Sequence, residues 1–196
     1  MFHFGGGERV EKSEKRYEEY AYVLDYLPHG RPGARPGYRA GALIQVVGEE
    51  YFTFLEAIAR EGIVLKTSDR VYVGKDSRRK ITYIIGRINY EDLTSNAKME
   101  LSGTVEKIVL NREKWFINFF NTAQAITPRM HALELIPGIG KKYMWQIVDE
   151  RERKPFQNLE DLQNRANMPT PSKLITRRIL EELAGESKYR LFTRAP

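Results

Sequence analysis

Two glycines one residue apart, set among isoleucines and followed at once by two lysines, constrain this chain more than any other stretch. They lie in the ten residues from Leu133 to Lys142, Leu-Glu-Leu-Ile-Pro-Gly-Ile-Gly-Lys-Lys. The pattern predicts a helical segment, a tight bend, and the basic start of a second helix. Gly138 and Gly140 can take φ > 0 or let another backbone approach closely. The helix after the bend opens with free N–H groups and the positive end of its dipole, which together suit an anion. Lys141 and Lys142 add two formal charges at the same place. Such a bend fits one sugar-phosphate backbone and reads no base, so it predicts nucleic-acid binding with little sequence preference. The predicted contacts are Pro137, Gly138, Ile139, Gly140, Lys141 and Lys142. The plainer alternative is a hairpin that folds back and touches nothing.

Leu133, Ile136 and Ile139, then Met144, Ile147 and Val148, are spaced to bury one seam between two short helices. With that seam the run resembles the helix-hairpin-helix motif, which also serves as a protein-docking element. Asn121-Thr122-Ala123 upstream, and Pro155-Phe156 with Leu159 to Leu162 downstream, extend the likeness to the DNA-binding domain of bacterial competence proteins, over about residues 118 to 165. Tyr143 departs from the small residues usual near that point.

The chain has 196 residues, a formal net charge of +6, 41% hydrophobic residues and no cysteine. That length allows one large domain or two small ones. Lack of cysteine removes disulfides and thiolate metal sites. No apolar run is long enough to span a membrane, and the start at Met1 lacks a signal-peptide pattern, so a cytoplasmic location is expected. The positive balance favours an anionic partner.

Along the chain, residues 1–19 read as a charged, solvated arm in which Glu8, Glu11, Glu14, Glu18 and Glu19 alternate with Arg9, Lys12, Lys15 and Arg16. Residues 20–90 carry strand patterns at Tyr20–Leu27, Ala42–Val47, Tyr51–Ile58, Ile63–Leu65, Arg70–Val73 and Lys80–Ile88. A Gly/Pro loop bearing Arg31, Arg35 and Arg39 interrupts them. Five or six short strands suit a small β-barrel, either oligonucleotide-binding-like or SH3-like. Residues 91–123 read as connecting helices: Thr94 or Ser95 caps the first, and Ala97, Leu101, Val105, Ile108 and Val109 share one face. Trp115, Phe116, Phe119 and Phe120 are read as packing. Residues 124–196 are expected to form an all-α hairpin domain ending in an amphipathic helix with Ile175, Ile179, Leu180 and Leu183. The fold class is thus α+β, a small barrel followed by a helical module.

The barrel offers a second candidate surface at Arg70, Tyr72, Arg78, Arg79 and Lys80. Aromatics among cations on a sheet face hold single strands by stacking bases while the charges follow phosphates. Tyr72 and Tyr83 also read as ordinary strand residues, and Asp76 to Lys80 as a solvated hairpin tip. Asp69-Arg-Val-Tyr-Val-Gly74, Phe119-Phe-Asn-Thr-Ala123, the bend itself and Tyr189-Arg-Leu-Phe192 together resemble an uncharacterised archaeal family of predicted nucleic-acid-binding proteins. That resemblance implies an oligonucleotide-binding-like barrel joined to a helix-hairpin-helix module, RNA rather than DNA as partner, and no catalytic residues.

His3, His29 and His131 form no metal-ligand spacing, and no phosphate-loop or nucleophile-elbow motif occurs. The expectation is a non-catalytic nucleic-acid binder without cofactor or metal. The alternatives are an adaptor docking a protein of the translation or nucleic-acid machinery through the Trp115 region or the Arg-rich loop, and a DNA-binding repair factor.

Overall fold

A computed structural model of the chain describes residues 17–30, 41–185 and 187–194. Most of the charged arm, and the loop with Arg31, Arg35 and Arg39, lie outside the described residues. Five strands, β1 (Tyr20–Leu27), β2 (Leu43–Gly48), β3 (Phe54–Ala59), β4 (Arg70–Tyr72) and β5 (Ile81–Arg87), form one antiparallel sheet in the order β4-β1-β2-β3-β5. Every residue of β2 and β3 is buried, so both faces of the sheet are covered. One face lies under a helix. The other, with Ala21, Val23, Ile44, Val46, Ala57, Val71 and Ile81, forms a separate apolar cluster that takes in Leu65 from a loop. The sheet curls as a half-barrel, which with the Leu65 loop buries that second face. Among the described residues β4 pairs with β1 and β5 with β3, and no ladder joins β4 to β5.

Ile63–Leu65 is not a strand. Turn bonds from Ile63 N to the Arg60 carbonyl (3.0 Å) and from Asp69 N to the Lys66 carbonyl (3.0 Å) bend this segment. Val64 is left in solvent, while Leu65 enters the core. The apolar run was real, but one buried residue satisfies it.

Helix α1 (Ser95–Asn111) covers the first face, capped by Thr94, whose hydroxyl accepts from Ala97 N. Ala97, Leu101, Val105, Ile108 and Val109 are all buried. Two polar residues of the sheet set the entry to α1. Asp25 accepts the Thr94 hydroxyl (2.6 Å) and the Asn96 amide (2.9 Å), and Gln45 accepts Thr94 N (2.8 Å) while donating to the Asp92 carbonyl (3.0 Å). Helix α2 (Glu113–Thr122) follows, then a two-stranded ribbon of β6 (Ala125–Thr127) and β7 (Met130–His131), then α3 (Lys141–Arg153), α4 (Leu159–Arg165) and α5 (Pro171–Leu183). The ribbon corrects the all-α expectation for residues 124–196. Of the aromatic cluster, Phe116 and Phe120 are buried, and Phe116 and Phe119 meet the ring of Phe192 edge-on at 5.4 and 4.9 Å, while Trp115 stays 42% exposed.

One apolar cluster runs from Tyr22, Leu24, Val47 and Phe54 in the sheet, through α1 and α2, to Leu133, Ile136 and Ile139 and on to Ile175 and Ile179 in α5. Sheet and hairpin therefore share a core. Two carboxylates fasten distant chain to it. Glu18, expected on a solvated arm, is instead buried and accepts the amides of Glu50 (2.9 Å), Tyr51 (3.0 Å) and Thr53 (3.0 Å). Burial raises its carboxyl above the usual range, against the pull of those amides. Glu182, with 0% of its surface exposed, accepts Leu191 N (2.7 Å), Phe192 N (3.1 Å), Thr193 N (2.9 Å) and the Arg178 guanidinium (2.9 Å). Replacing Glu182 by Ala orphans the buried Arg178 charge and releases the tail. The expected loss is roughly 3–5 kcal/mol, read by urea unfolding against the unaltered protein.

Candidate functional site

The Gly-rich bend is built from both sides by short-range bonds. His131 precedes a single 3-10 turn, Ala132–Leu135, and its Nδ1 accepts Leu133 N at 3.1 Å, while Glu134 accepts His131 N at 2.9 Å. This reciprocal box satisfies donors that a turn start leaves open. The helical segment expected before the bend is thus only one 3-10 turn, because the ribbon β6–β7 takes the preceding residues. Ile136 N donates to the Leu133 carbonyl (3.1 Å), and Ile139 N to the Ile136 carbonyl (2.9 Å), closing the bend. Gly138 has φ +90°, a conformation that favours glycine, and a Cβ there would sit tightly against a Leu174 methyl at 3.3 Å. Gly140 is the N-cap of α3 in extended conformation and has no side chain to cap it, leaving the first amides of the helix open.

Leu133, Ile136, Ile139, Met144 and Ile147 are buried as the seam predicts, with Val148 and Tyr143 packed against them. Gly138, Gly140, Lys141 and Lys142 are exposed, and Pro137 is half-buried. Among the described residues no hydrogen bond engages the Gly138 or Gly140 amide, and neither lysine pairs with a carboxylate. Ile139 contributes packing rather than contact, since its side chain is buried.

The barrel residues do not form one free surface. Arg70 makes a two-pronged pair with Glu49 (2.5 and 3.1 Å) and stacks over Tyr20 at 3.5 Å. The Glu49 bond raises its pKa further. The Tyr72 hydroxyl bonds Asp76 at 3.2 Å and fills the space where a Cβ on Gly74 would stand. Arg78 turns inward to the Val73 and Gly74 carbonyls (3.3 and 2.8 Å). Arg79 and Lys80 are exposed, on a tip that Arg60 ties down through the Arg78 and Arg79 carbonyls. Three of the five are therefore engaged within the fold.

Two residues escaped the sequence reading. Trp145 is 60% exposed, on α3 four residues after Lys141. Its spacing from Met144 and Ile147 already placed it off the buried seam. Arg87 ends β5 in solvent, outside the five residues singled out on the barrel.

Around the bend, Asn121 explains a resemblance that sequence left without a reason. Its amide donates to the Phe156 carbonyl (2.9 Å) and accepts Phe156 N (2.8 Å), fixing the α3–α4 connection to the end of α2.

The fold and bend define a class: an α+β protein whose antiparallel half-barrel shares its core with helices that display a Gly-rich, lysine-flanked turn. The chain belongs to the DUF655 family of uncharacterised archaeal proteins, described as a protein of unknown function, whose model matches residues 17–194. It is similar to the uncharacterised protein MJ0038 of Methanocaldococcus jannaschii, at 40% identity over 97% of this chain and 88% of that protein. It is also similar to the crystal structure of Af1531 from Archaeoglobus fulgidus, at 47% identity and a TM-score of 0.83, covering 90% of this chain and 100% of that one. No helix among the described residues is long and apolar enough to cross a membrane.

His131 ties the bend to pH. Burial, with help from the Arg151 charge, lowers its pKa below the ordinary histidine value. Its neutral Nδ1 is the acceptor for Leu133 N, and protonation removes that acceptor. A depressed histidine contributes stability in full above its unfolded pKa, and loses it as pH falls through the folded one. Replacing His131 by Asn keeps an acceptor without a titration. The variant's melting temperature should fall less than the parent's between pH 8 and pH 5, beside a pH-independent loss from the ring's bond to the Ala123 backbone.

Proposed function

We propose that this protein is a non-catalytic, cytoplasmic nucleic-acid-binding protein, with RNA favoured over DNA, that grips the phosphate backbone with little sequence specificity. The observation that carries the reading is the bend. It holds the Gly138 and Gly140 amides, the open start of α3, and Lys141 with Lys142 together in solvent, over a buried apolar seam. Amides at a helix start and adjacent ammonium groups suit a phosphate on both geometric and electrostatic grounds. The 3-10 turn, bend and α3 support a helix-hairpin-helix reading with a shortened first helix. The strand order, with β4 returning beside β1 and β5 beside β3, supports an oligonucleotide-binding-like barrel that stays partly open. Arg79 and Lys80 add exposed charge on that barrel. The preference for RNA rests on family resemblance.

Exchanging Lys141 and Lys142 together for Glu should weaken binding to all sequences alike, by roughly tenfold or more at moderate salt, and flatten the salt dependence. Anisotropy titrations of a labelled oligoribonucleotide at several salt concentrations measure both. Unchanged affinity and slope would remove the bend as the contact.

The exposure of Trp115, whose ring edge meets Phe116 at 4.9 Å and carries the Arg112 guanidinium at 5.0 Å, favours a second reading as a protein-docking adaptor. Nuclease treatment of captured complexes separates the two. Partners released by digestion support the binder, and partners that persist support the adaptor.

A further inference from the structure

The open side of the half-barrel holds two grooves that share a wall. The first, of about 240 Å³, has Phe52, Phe54, Ile88 and Tyr90 along its sides, with Arg87 and Arg190 at its rim. The second, of about 270 Å³, is lined by Leu55, Val73 and Ile84, with Lys75, Arg78 and Arg87 as its cations. Thr53 and Arg87 line both, so the grooves adjoin at these two residues. The second occupies the place where β4 and β5 do not pair: Val73 follows β4, and Ile84 and Arg87 belong to β5.

The charge along this path is positive. Two acids line it, and both are engaged. Glu18 accepts three backbone amides, and Glu91 pairs with Lys98 at 3.5 Å. Arg78 is held by carbonyls, and Arg190 by the Thr193 hydroxyl and the Arg194 carbonyl at 3.0 Å each. Arg87, at the junction, makes no side-chain hydrogen bond or ion pair among the described residues. Tyr90 is half-buried, with its ring 6.5 Å from that of Phe54. An apolar groove with the Tyr90 ring in its wall, one ring face carrying the Lys98 ammonium at 4.9 Å, and an aliphatic groove beyond an unpaired guanidinium suit bases on either side of one phosphate. A duplex keeps its bases stacked within itself and cannot offer them to such cavities.

We infer that the two grooves form one track for a single strand of nucleic acid, in which Arg87 binds a phosphate at the junction and Tyr90 stacks an unpaired base. This rests on the nucleic-acid reading but on residues other than the bend. It also names the strandedness, which the bend does not read.

The test compares a labelled oligouridylate, long enough to cross both grooves, with an RNA duplex of the same length. Arg87→Gln should weaken single-strand binding and reduce its salt slope by about 0.7, the contribution of one phosphate. Tyr90→Leu should weaken it by about tenfold, and Tyr90→Phe should restore it. Duplex affinity should stay at the parent value in all three. Parent-like single-strand binding by Arg87→Gln and Tyr90→Leu, with loss in the Lys141/Lys142 exchange, overturns the track and leaves the bend standing. The converse pattern keeps the track and removes the bend. Equal weakening on single strand and duplex overturns the strand assignment. Thermal melts check folding, and if Tyr90→Leu melts early, Arg87→Gln decides alone.

Discussion

The buried stripe of α1 is the constraint on which the molecule depends. Ala97, Leu101, Val105, Ile108 and Val109 lie in the apolar cluster that reaches the sheet through Tyr22 and Leu24 and the helical half through Ile175 and Ile179. A helix covering a sheet face normally has its other side in water. Here α5 packs on α1 as well, so the stripe must be wide enough for two neighbours. That wide stripe is why sheet and hairpin have a common interior. It also means that the position of the Gly-rich bend follows from the packing of helices anchored on the barrel, because Leu174 of α5 lies directly beneath Gly138.

Around this core the buried carboxylates act as fasteners. Asp25 seats the start of α1, Glu18 gathers the β2–β3 turn, and Glu182 collects the amides of the final segment. Asp25 acts through the Thr94 hydroxyl and the Asn96 side-chain amide, whereas Glu18 and Glu182 satisfy backbone amides, each costing about 1–3 kcal/mol if left buried and unpaired. The acids on the helical surface serve differently. Glu150 and Asp161 both pair with Arg165, whose guanidinium also closes the end of α3 by donating to the Lys154 carbonyl at 2.8 Å.

The same sorting applies to the cations, and it shapes the functional reading. Arg70, Arg78 and Arg165 hold the fold together, whereas Lys141, Lys142 and Arg87 are exposed and make no ion pair among the described residues. A charge already neutralised by its own protein adds little to binding a phosphate. The surfaces that remain are the bend and the open side of the half-barrel. Charge composition alone would have weighted all these residues equally.

How much could be read beforehand depended on how local the cause was. The helical stripe of α1, a cap at Thr94 or Ser95, the seam from Leu133 to Ile147 and the need for glycine at Gly138 were legible, because each is set by residues within a few positions of one another. Gly140, with φ −84° and open space around it, needs no glycine. Ile63–Leu65 was misread since a short apolar run can signal a strand or one inward-facing loop residue, and only the surrounding packing chooses. Glu18 looked solvated because the three amides it accepts lie more than thirty positions away. Tyr72 and Arg78 looked free because their partners depend on how the chain turns after β4. The sequence by itself determined the elements and the basic, glycine-bearing turn, through periodicity and backbone sterics. Only the tertiary structure decided which charges were left without a partner and where the sheet stayed open, because both depend on contacts between residues far apart along the chain.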